Sequence, residues 1–336
     1  MNPRTDGLRS AASVLGWPPG GRARTVFLGS GGFGAPALRR LVARPDIELV
    51  AIVTAPPRPV GRRQVPTPTP IGSLAAELAL GPVLTPARLR APEAIAAVLA
   101  LRPELAVLAD YGQIVPAPLL ALPHGALNLH PSALPRWRGA SPIPATILAG
   151  DPSTAVTLMR MDEGLDTGPI VGQAAVALAG DEAAPDLETR LAELAADLLD
   201  RSLGPWLRGE LAAVPQAAEG ATLTRPLRRE DGRLDPGEPA VALERRVRAF
   251  LPWPGTFLEF DGERVVVGAA AVAPSAPGDV PGTLVREGDR PALATVDGRL
   301  VLEAVTPPGR HPMSGAAWLR GRRPRPSRRP VSESPA

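Results

Sequence analysis

The 336-residue chain has 44% hydrophobic residues and a formal net charge of +3, which suits a folded protein of about two domains. It has no cysteine, which excludes disulfide frameworks, thiolate metal sites and a Cys nucleophile. Its three histidines (His124, His130, His311) are too few for a His-built zinc centre, so no metal is expected.

All 37 basic residues are arginine, which closes Schiff-base and Walker-lysine chemistry. Six of them fall between Arg320 and Arg329, and the rest of the chain is mildly acidic. That is not the pattern of a protein that coats nucleic acid with its whole surface. No apolar run is long enough to span a membrane, and the N-terminus lacks a signal-type segment. A cytoplasmic monomer with no membrane partner is expected.

Thr25–Leu28 reads as a buried strand running into Gly29-Ser-Gly-Gly-Phe-Gly34, and helical spacing follows over Ala35–Ala43. Gly29-x-Gly31-x-x-Gly34 fits a dinucleotide fingerprint. The second strand, Glu48–Val53, nevertheless ends in Thr54-Ala55-Pro56 without the acid that would hold a ribose hydroxyl. A strand-to-helix turn that needs glycine is the better reading, and no NAD is expected. An anion or backbone contact at the helix N-terminus stays open.

Ala55–Pro70 reads as a Pro-rich loop with Arg58, Arg62 and Arg63. Ile71–Leu80 and Pro92–Leu101 have helical spacing. Leu105–Leu108, Ala126–Leu129, Ala155–Met161 and Ile170–Ala177 read as strands. Asp186–Leu203 is a helix with a stripe of Leu187, Leu191, Leu194, Leu198 and Leu199. The alternation predicts an open, mostly parallel, doubly wound (Rossmann-like) α/β sheet.

Around Pro205–Pro239 the pattern dissolves, and Val241–Phe250 is one more helix. Five short strands follow, at Thr256–Phe260, Arg264–Gly268, Gly282–Arg286, Ala292–Thr295 and Leu300–Val305, as in a small OB-like β-barrel. The expected organisation is a disordered extension (1–22), a catalytic domain (23–205), a linker (206–238), an OB-like domain (239–319) and a disordered Arg/Pro-rich tail (320–336).

The chemistry concentrates in Gly125-Ala-Leu-Asn128-Leu-His130-Pro-Ser132-Ala-Leu-Pro135-Arg-Trp-Arg138-Gly139. Strand alternation puts Asn128 and His130 on one face, at the carboxyl end where open α/β sheets bind ligands. A second loop, Met161-Asp-Glu-Gly-Leu-Asp166-Thr-Gly168, offers carboxylates. An Asn amide can hold a developing oxyanion, and His can move a proton near neutral pH. Asp can orient the His or take a proton from an attacking group. With no nucleophile of its own, such a site suits acyl transfer to an incoming amine. A satisfied core histidine at position 130 is the competing reading.

Asn128-x-His130-x-Ser132-x-Leu-Pro135, Arg138-Gly139 and Gly164-Leu-Asp166-Thr-Gly168 resemble the signature of the folate-dependent formyltransferase superfamily. Tyr111-Gly-Gln-Ile-Val-Pro116, Glu219-Gly-Ala-Thr222 and Arg248-Ala-Phe250-Leu-Pro-Trp253-Pro-Gly255 extend the resemblance from about Thr25 to Arg322. The C-terminal words point to the branch that acts on charged tRNA. The resemblance implies catalysis by Asn128, His130 and Asp166, with Asn128 and His130 holding the formyl oxygen while Asp166 orients His130 and assists proton removal. It implies 10-formyltetrahydrofolate as donor, bound by Ser132, Ala133, Leu134 and Pro135, with Tyr111, Gly112 and Ile114 closing the pterin pocket. The implied acceptor is the methionine α-amino group of initiator methionyl-tRNA, whose product serves translation initiation.

Arg62 and Arg63 would meet the acceptor end. Arg245 and Arg248 would meet phosphates of the tRNA body, or else be ordinary exposed helix arginines. An amino-sugar nucleotide is an alternative acceptor, and a non-catalytic RNA-binding paralogue an alternative class. The chain departs from the superfamily pattern at Ser30–Gly34, where a Thr-Pro-acid-Phe-Ala run is usual. Arg63, Gln64, Arg225 and Pro226 stand where lysines are common.

Overall fold

The computed structural model describes residues 20–61 and 63–321; the extension up to residue 19, Arg62 and the tail from Arg322 lie outside them. The chain divides into two compact units, with the boundary between Leu227 and Arg228.

The first unit runs β1 (Ala23–Gly29), α1 (Ala35–Ala43), β2 (Ile47–Val53), β3 (Arg58–Val60), β4 (Val65–Thr67), α2 (Pro70–Glu77), β5 (Val83–Leu84), α3 (Pro92–Ala100), β6 (Leu105–Ala109), α4 (Ala117–Leu120) and β7 (Ala126–His130). It continues with β8 (Arg138–Gly139), α5 (Pro142–Ala149), β9 (Ser153–Arg160), β10 (Ile170–Ala177), α6 (Ala184–Leu207) and β11 (Leu223–Thr224).

Seven strands form one sheet in the order β10-β9-β7-β6-β1-β2-β5. The ladders from β5 to β7 are parallel, while β9 and β10 run antiparallel. The predicted Rossmann-like sheet is therefore present with one reversed strand, β9, next to its edge, and β10 beyond it runs with the parallel set. The strands were recognisable because β1 and β6 are buried along nearly their whole length. Each fully buried Leu or Val contributes about 1.5–3 kcal/mol, and one cluster gathers Val26, Leu28, Val53, Leu89, Leu108 and Leu119.

The chain leaves β1 toward β2 on one side and reaches β6 on the other, so the switch point lies between β1 and β6. There the glycine loop meets the end of β6: Ser30 N–H donates to Asp110 O at 2.9 Å. A Cβ on Gly31 would lie 1.5 Å from the Asp110 carboxylate, and one on Gly34 would lie 3.1 Å from Ala109 O. Here glycine allows close approach and is not called for by a positive φ.

Three expectations change. Ala55–Pro70 is not loop throughout, since β3 and β4 pair as a short antiparallel hairpin before α2 begins at Pro70. The helix predicted to end at Leu203 continues through Pro205 to Leu207, because Trp206 is buried and its Nε1–H donates to His124 O at 3.0 Å. The stretch 206–238 is not a free tether. Val214 bridges Ile170, and β11 pairs with β8.

The second unit holds α7 (Ala240–Ala249), β12 (Thr256–Phe260), β13 (Glu263–Ala273), β14 (Leu284–Glu287), β15 (Arg290–Ala294), β16 (Arg299–Thr306), β17 (Met313–Ser314) and α8 (Gly315–Gly321). The strands form an antiparallel sheet in the order β12-β13-β16-β15-β14, with β17 beside β16. Two register shifts in β13 around Ala269 mark where this long strand bends. Its core joins Leu243 and Val247 of α7 to Val265, Val267, Leu300 and Leu302, and Trp318 of α8 packs there too. The expected tail boundary at 320 moves accordingly, because α8 runs through Arg320 to Gly321. Among the described residues no helix is long and apolar enough to cross a membrane.

Candidate active site

β7 lies between parallel β6 and antiparallel β9, and Pro131 ends it by withholding a ladder N–H. Leu127 and Leu129 are buried on one face, which leaves Asn128 and His130 on the other. Asn128 is half-buried, and among the described residues its side-chain amide has no hydrogen-bond partner, so its N–H groups are available to a ligand. The loop that follows is pinned from below: Thr157 Oγ1 donates to Ser132 O at 2.7 Å, and Gln173 Nε2 donates to Leu134 O at 2.8 Å.

His130 is 5% exposed. Its Nε2 lies 2.9 Å from the carbonyl oxygen of Trp137. A carbonyl can only accept, so Nε2 carries a proton and neutral His130 presents its lone pair on Nδ1. Nδ1 faces Asp166 Oδ2 across 3.7 Å, beyond hydrogen-bond reach. The ring is thus oriented by Trp137 and not, as expected, by Asp166. This is no ordinary satisfied core histidine, because one nitrogen is left as a base beside a carboxylate.

Trp137 occupies the left-handed region at φ +62°, so its surroundings must hold it. Its N–H donates to Thr222 Oγ1 at 2.8 Å and its indole Nε1–H to Asp151 Oδ2 at 2.8 Å. Arg136 forks onto the same carboxylate at 3.1 and 2.7 Å and lies over the Trp137 ring, 4.1 Å from its centre. Burial pushes the Asp151 carboxyl upward, but the bonds from Arg136 and Trp137 outweigh it and hold the group below the usual carboxylate range.

Asp166 also has left-handed backbone, at φ +51°, and its Oδ2 accepts from Gly139 N–H at 2.8 Å. The structure therefore brings Asn128, His130 and Asp166 together at the carboxyl end of β7. An N–H donor, a base of fixed tautomer and a carboxylate placed to face the protonated base can carry an amine through a tetrahedral intermediate.

The remaining predicted residues fall differently. Ser132 is fully buried and its hydroxyl donates to Arg136 O at 2.7 Å, so its side chain braces the loop from within. Leu134 is buried as well, whereas Ala133 and Pro135 are partly exposed. Tyr111 is buried, which pushes its hydroxyl up to about 12, while Gly112 and Ile114 are exposed. Gln113, not foreseen, ties this loop to the one after β5 by accepting from Leu89 N–H at 2.8 Å.

Arg62 lies outside the described residues. Arg58 and Arg63 are exposed and have no ion-pair partner among the described residues. Arg245 is half-buried and likewise unpaired there. Arg248 differs, because its guanidinium forks onto Glu244 at 2.6 and 2.9 Å and is mostly covered. That geometry takes up the donors a phosphate would need.

Sequence reasoning missed Trp137, Asp151 and Thr222, and also Gln216, whose Nε2 donates to Asp166 O at 2.8 Å. Trp137 acts through its backbone carbonyl, which no residue-type pattern reveals. The other three sit in stretches without periodicity, and of these only Thr222 lies in a motif word.

Residues 23–203 match the formyl transferase family, and residues 226–323 match the formyl transferase C-terminal domain. The chain is 43% identical over 302 residues to the methionyl-tRNA formyltransferase of Roseiflexus sp. (strain RS-1), covering 89% of this chain and 93% of that protein. It is 40% identical over 311 residues to that of Myxococcus xanthus (strain DK1622), covering 92% and 98%.

Among solved structures, an N-formyltransferase from Helicobacter canadensis in complex with folinic acid and dTDP-3-aminofucose aligns with TM-score 0.60 and 12% identity, over 83% of this chain and 98% of that one. HypX from Aquifex aeolicus in complex with tetrahydrofolic acid aligns with TM-score 0.59 and 17% identity, over 89% of this chain and 47% of that one. At such identities the likeness is one of fold. By both family matches and by relatives 40–43% identical along most of its length, the chain belongs to the formyl transferase family, among the methionyl-tRNA formyltransferases.

Proposed function

We propose that the chain transfers the formyl group of 10-formyltetrahydrofolate to the α-amino group of methionine on charged initiator tRNA. The observation that carries the chemistry is the placement of Nδ1 of His130, left basic by the Trp137 carbonyl and facing Asp166. The acceptor follows from the relatives, which are methionyl-tRNA formyltransferases matched along both units.

The neutral amine bonds to the formyl carbon and the carbonyl π pair moves to oxygen, where Asn128 N–H donates to it. One amine proton passes to Nδ1 of His130, and Asp166 faces the imidazolium that results. Collapse of the intermediate breaks the bond from carbon to N10, and the Nδ1 proton goes to that nitrogen. In this reading Ala133, Pro135, Gly112 and Ile114 contact the folate, Leu134 and Tyr111 support that pocket from beneath, and Arg58, Arg62, Arg63 and Arg245 approach tRNA phosphates.

The test supplies the protein with 10-formyltetrahydrofolate and, in separate reactions, methionyl initiator tRNA, methionyl elongator tRNA or an amino-sugar nucleotide. Formyl incorporation confined to the initiator tRNA is expected. Incorporation into the sugar alone, or into none of the three, would overturn the reading.

A further inference from the structure

Gln216 sits in the stretch between α6 and β11, with its side chain half-buried. Its Nε2 donates to the carbonyl oxygens of Asp166 at 2.8 Å and Gly168 at 2.7 Å. Its Oε1 accepts from Arg138 Nε at 3.1 Å and Nη2 at 2.8 Å. These four bonds use both donors and both lone pairs of the amide. They also settle its orientation, since a flipped amide would set NH2 against a guanidinium and oxygen against two carbonyls.

The partners are not arbitrary. Asp166 sits at φ +51°, a conformation that persists only when its surroundings over-determine it. Gln216 grips the backbone carbonyl of that residue and the one two residues on. Arg138, its other partner, precedes Gly139, whose N–H holds the Asp166 carboxylate at 2.8 Å. Backbone and side chain of Asp166 are thereby fixed through one closed ring of contacts.

The neighbouring chain does not depend on this side chain. Val214 exchanges two backbone bonds with Ile170 at 2.7 and 2.8 Å, and β11 is paired to β8. Loss of the amide would release Asp166 and leave the segment attached.

We infer that Gln216 is a positioning residue for formyl transfer, holding the left-handed turn at Asp166 so that its carboxylate stays facing Nδ1 of His130. The inference rests on the reading of Asp166 as a catalytic residue, and the test separates the two. Gln216→Met keeps the length and removes every bond. Gln216→Glu keeps the acceptor for Arg138 but sets a carboxylate oxygen against the two carbonyls; once protonated it donates again.

Gln216→Met is expected to lower kcat about 10–100-fold, as small misplacements of reacting groups do, with KM for tRNA and for donor within about twofold. For Gln216→Glu, the ratio of kcat to wild type should rise as pH falls from about 8 to 5, a change that follows carboxyl protonation and that mere loss of folding would not produce. Asp166→Ala serves as reference. If it retains activity, the reading of Asp166 fails and the inference loses its basis. If it is inactive while Gln216→Met turns over at the wild-type kcat, the inference alone is overturned. A rise in KM at unchanged kcat would also overturn it, as would a flat pH ratio for a folded Gln216→Glu.

Discussion

Gly139→Ala tests whether the Arg138-Gly139 turn holds the carboxylate in place. Gly139 has φ +100°, and a Cβ there would lie 2.3 Å from the backbone oxygen of Thr224. Because the obstacle is backbone, no rotamer change relieves it, and β8 must separate from β11. The positive φ alone costs about 1–2 kcal/mol for an L side chain. Losing the charge-assisted bond from Gly139 N–H to Asp166 adds about 1.5–3 kcal/mol. The expected loss is therefore about 2.5–5 kcal/mol.

Gly180 provides the control: it belongs to the same unit and has φ +94°, with nothing within 4 Å of a built Cβ. Gly180→Ala should show the conformational cost alone. Urea unfolding of the two variants, followed by tryptophan fluorescence to which Trp137 and Trp206 of the first unit contribute, reads the difference. Single-turnover formyl transfer should fall by about 100-fold in Gly139→Ala and stay near wild type in Gly180→Ala. Equal unfolding midpoints for the two variants, or undiminished transfer by Gly139→Ala, would refute the argument.

Asn128→Ala should lower kcat by about 100- to 1,000-fold at an unfolding midpoint close to wild type, because the amide has no partner among the described residues; near-normal turnover would remove Asn128 from the mechanism. Asp151 has its folded pKa depressed, so its contribution is present above the unfolded value of about 3.9 and is lost as pH falls through the lower folded one. The stability gap between wild type and Asp151→Asn, measured by denaturant titration, should accordingly be widest near neutrality and shrink below about pH 4. Arg63→Ala should raise KM for tRNA and reduce the salt slope of that KM by about 1. Arg248→Ala should instead lower stability, since Arg248 is engaged by Glu244; a salt slope changed by Arg248→Ala and not by Arg63→Ala would reverse the assignment.

What could be read from residue order follows a physical line. Strands such as β1 and β6 announce themselves because burial on both faces demands apolar runs. Asn128 and His130 stand out because a period of two places polar groups side by side where alternation otherwise buries Leu127 and Leu129. The elements that escaped notice break those same rules. α5 begins Pro142-Ile-Pro144, which looks like loop although proline is tolerated in a first helical turn. β3 and β4 carry Pro59 and Pro66, which fit an isolated two-stranded hairpin because neither is needed as a central donor.

The groups that hold the site escaped for a deeper reason. His130 is oriented by a main-chain carbonyl, and main-chain atoms are common to every residue type. Asp166 is steadied by Gln216, 50 residues away, and Gln216 by Arg138, 78 residues away. Periodicity senses how each residue meets the core, so it cannot detect polar pairs closed across such distances. The proposed base, His130, and the carboxylate that faces it, Asp166, were therefore visible as residue types in a motif. Their competence rests on partners that only folding brings within 3 Å, and for that reason the decisive variants lie at Gly139 and Gln216 as much as at the catalytic residues.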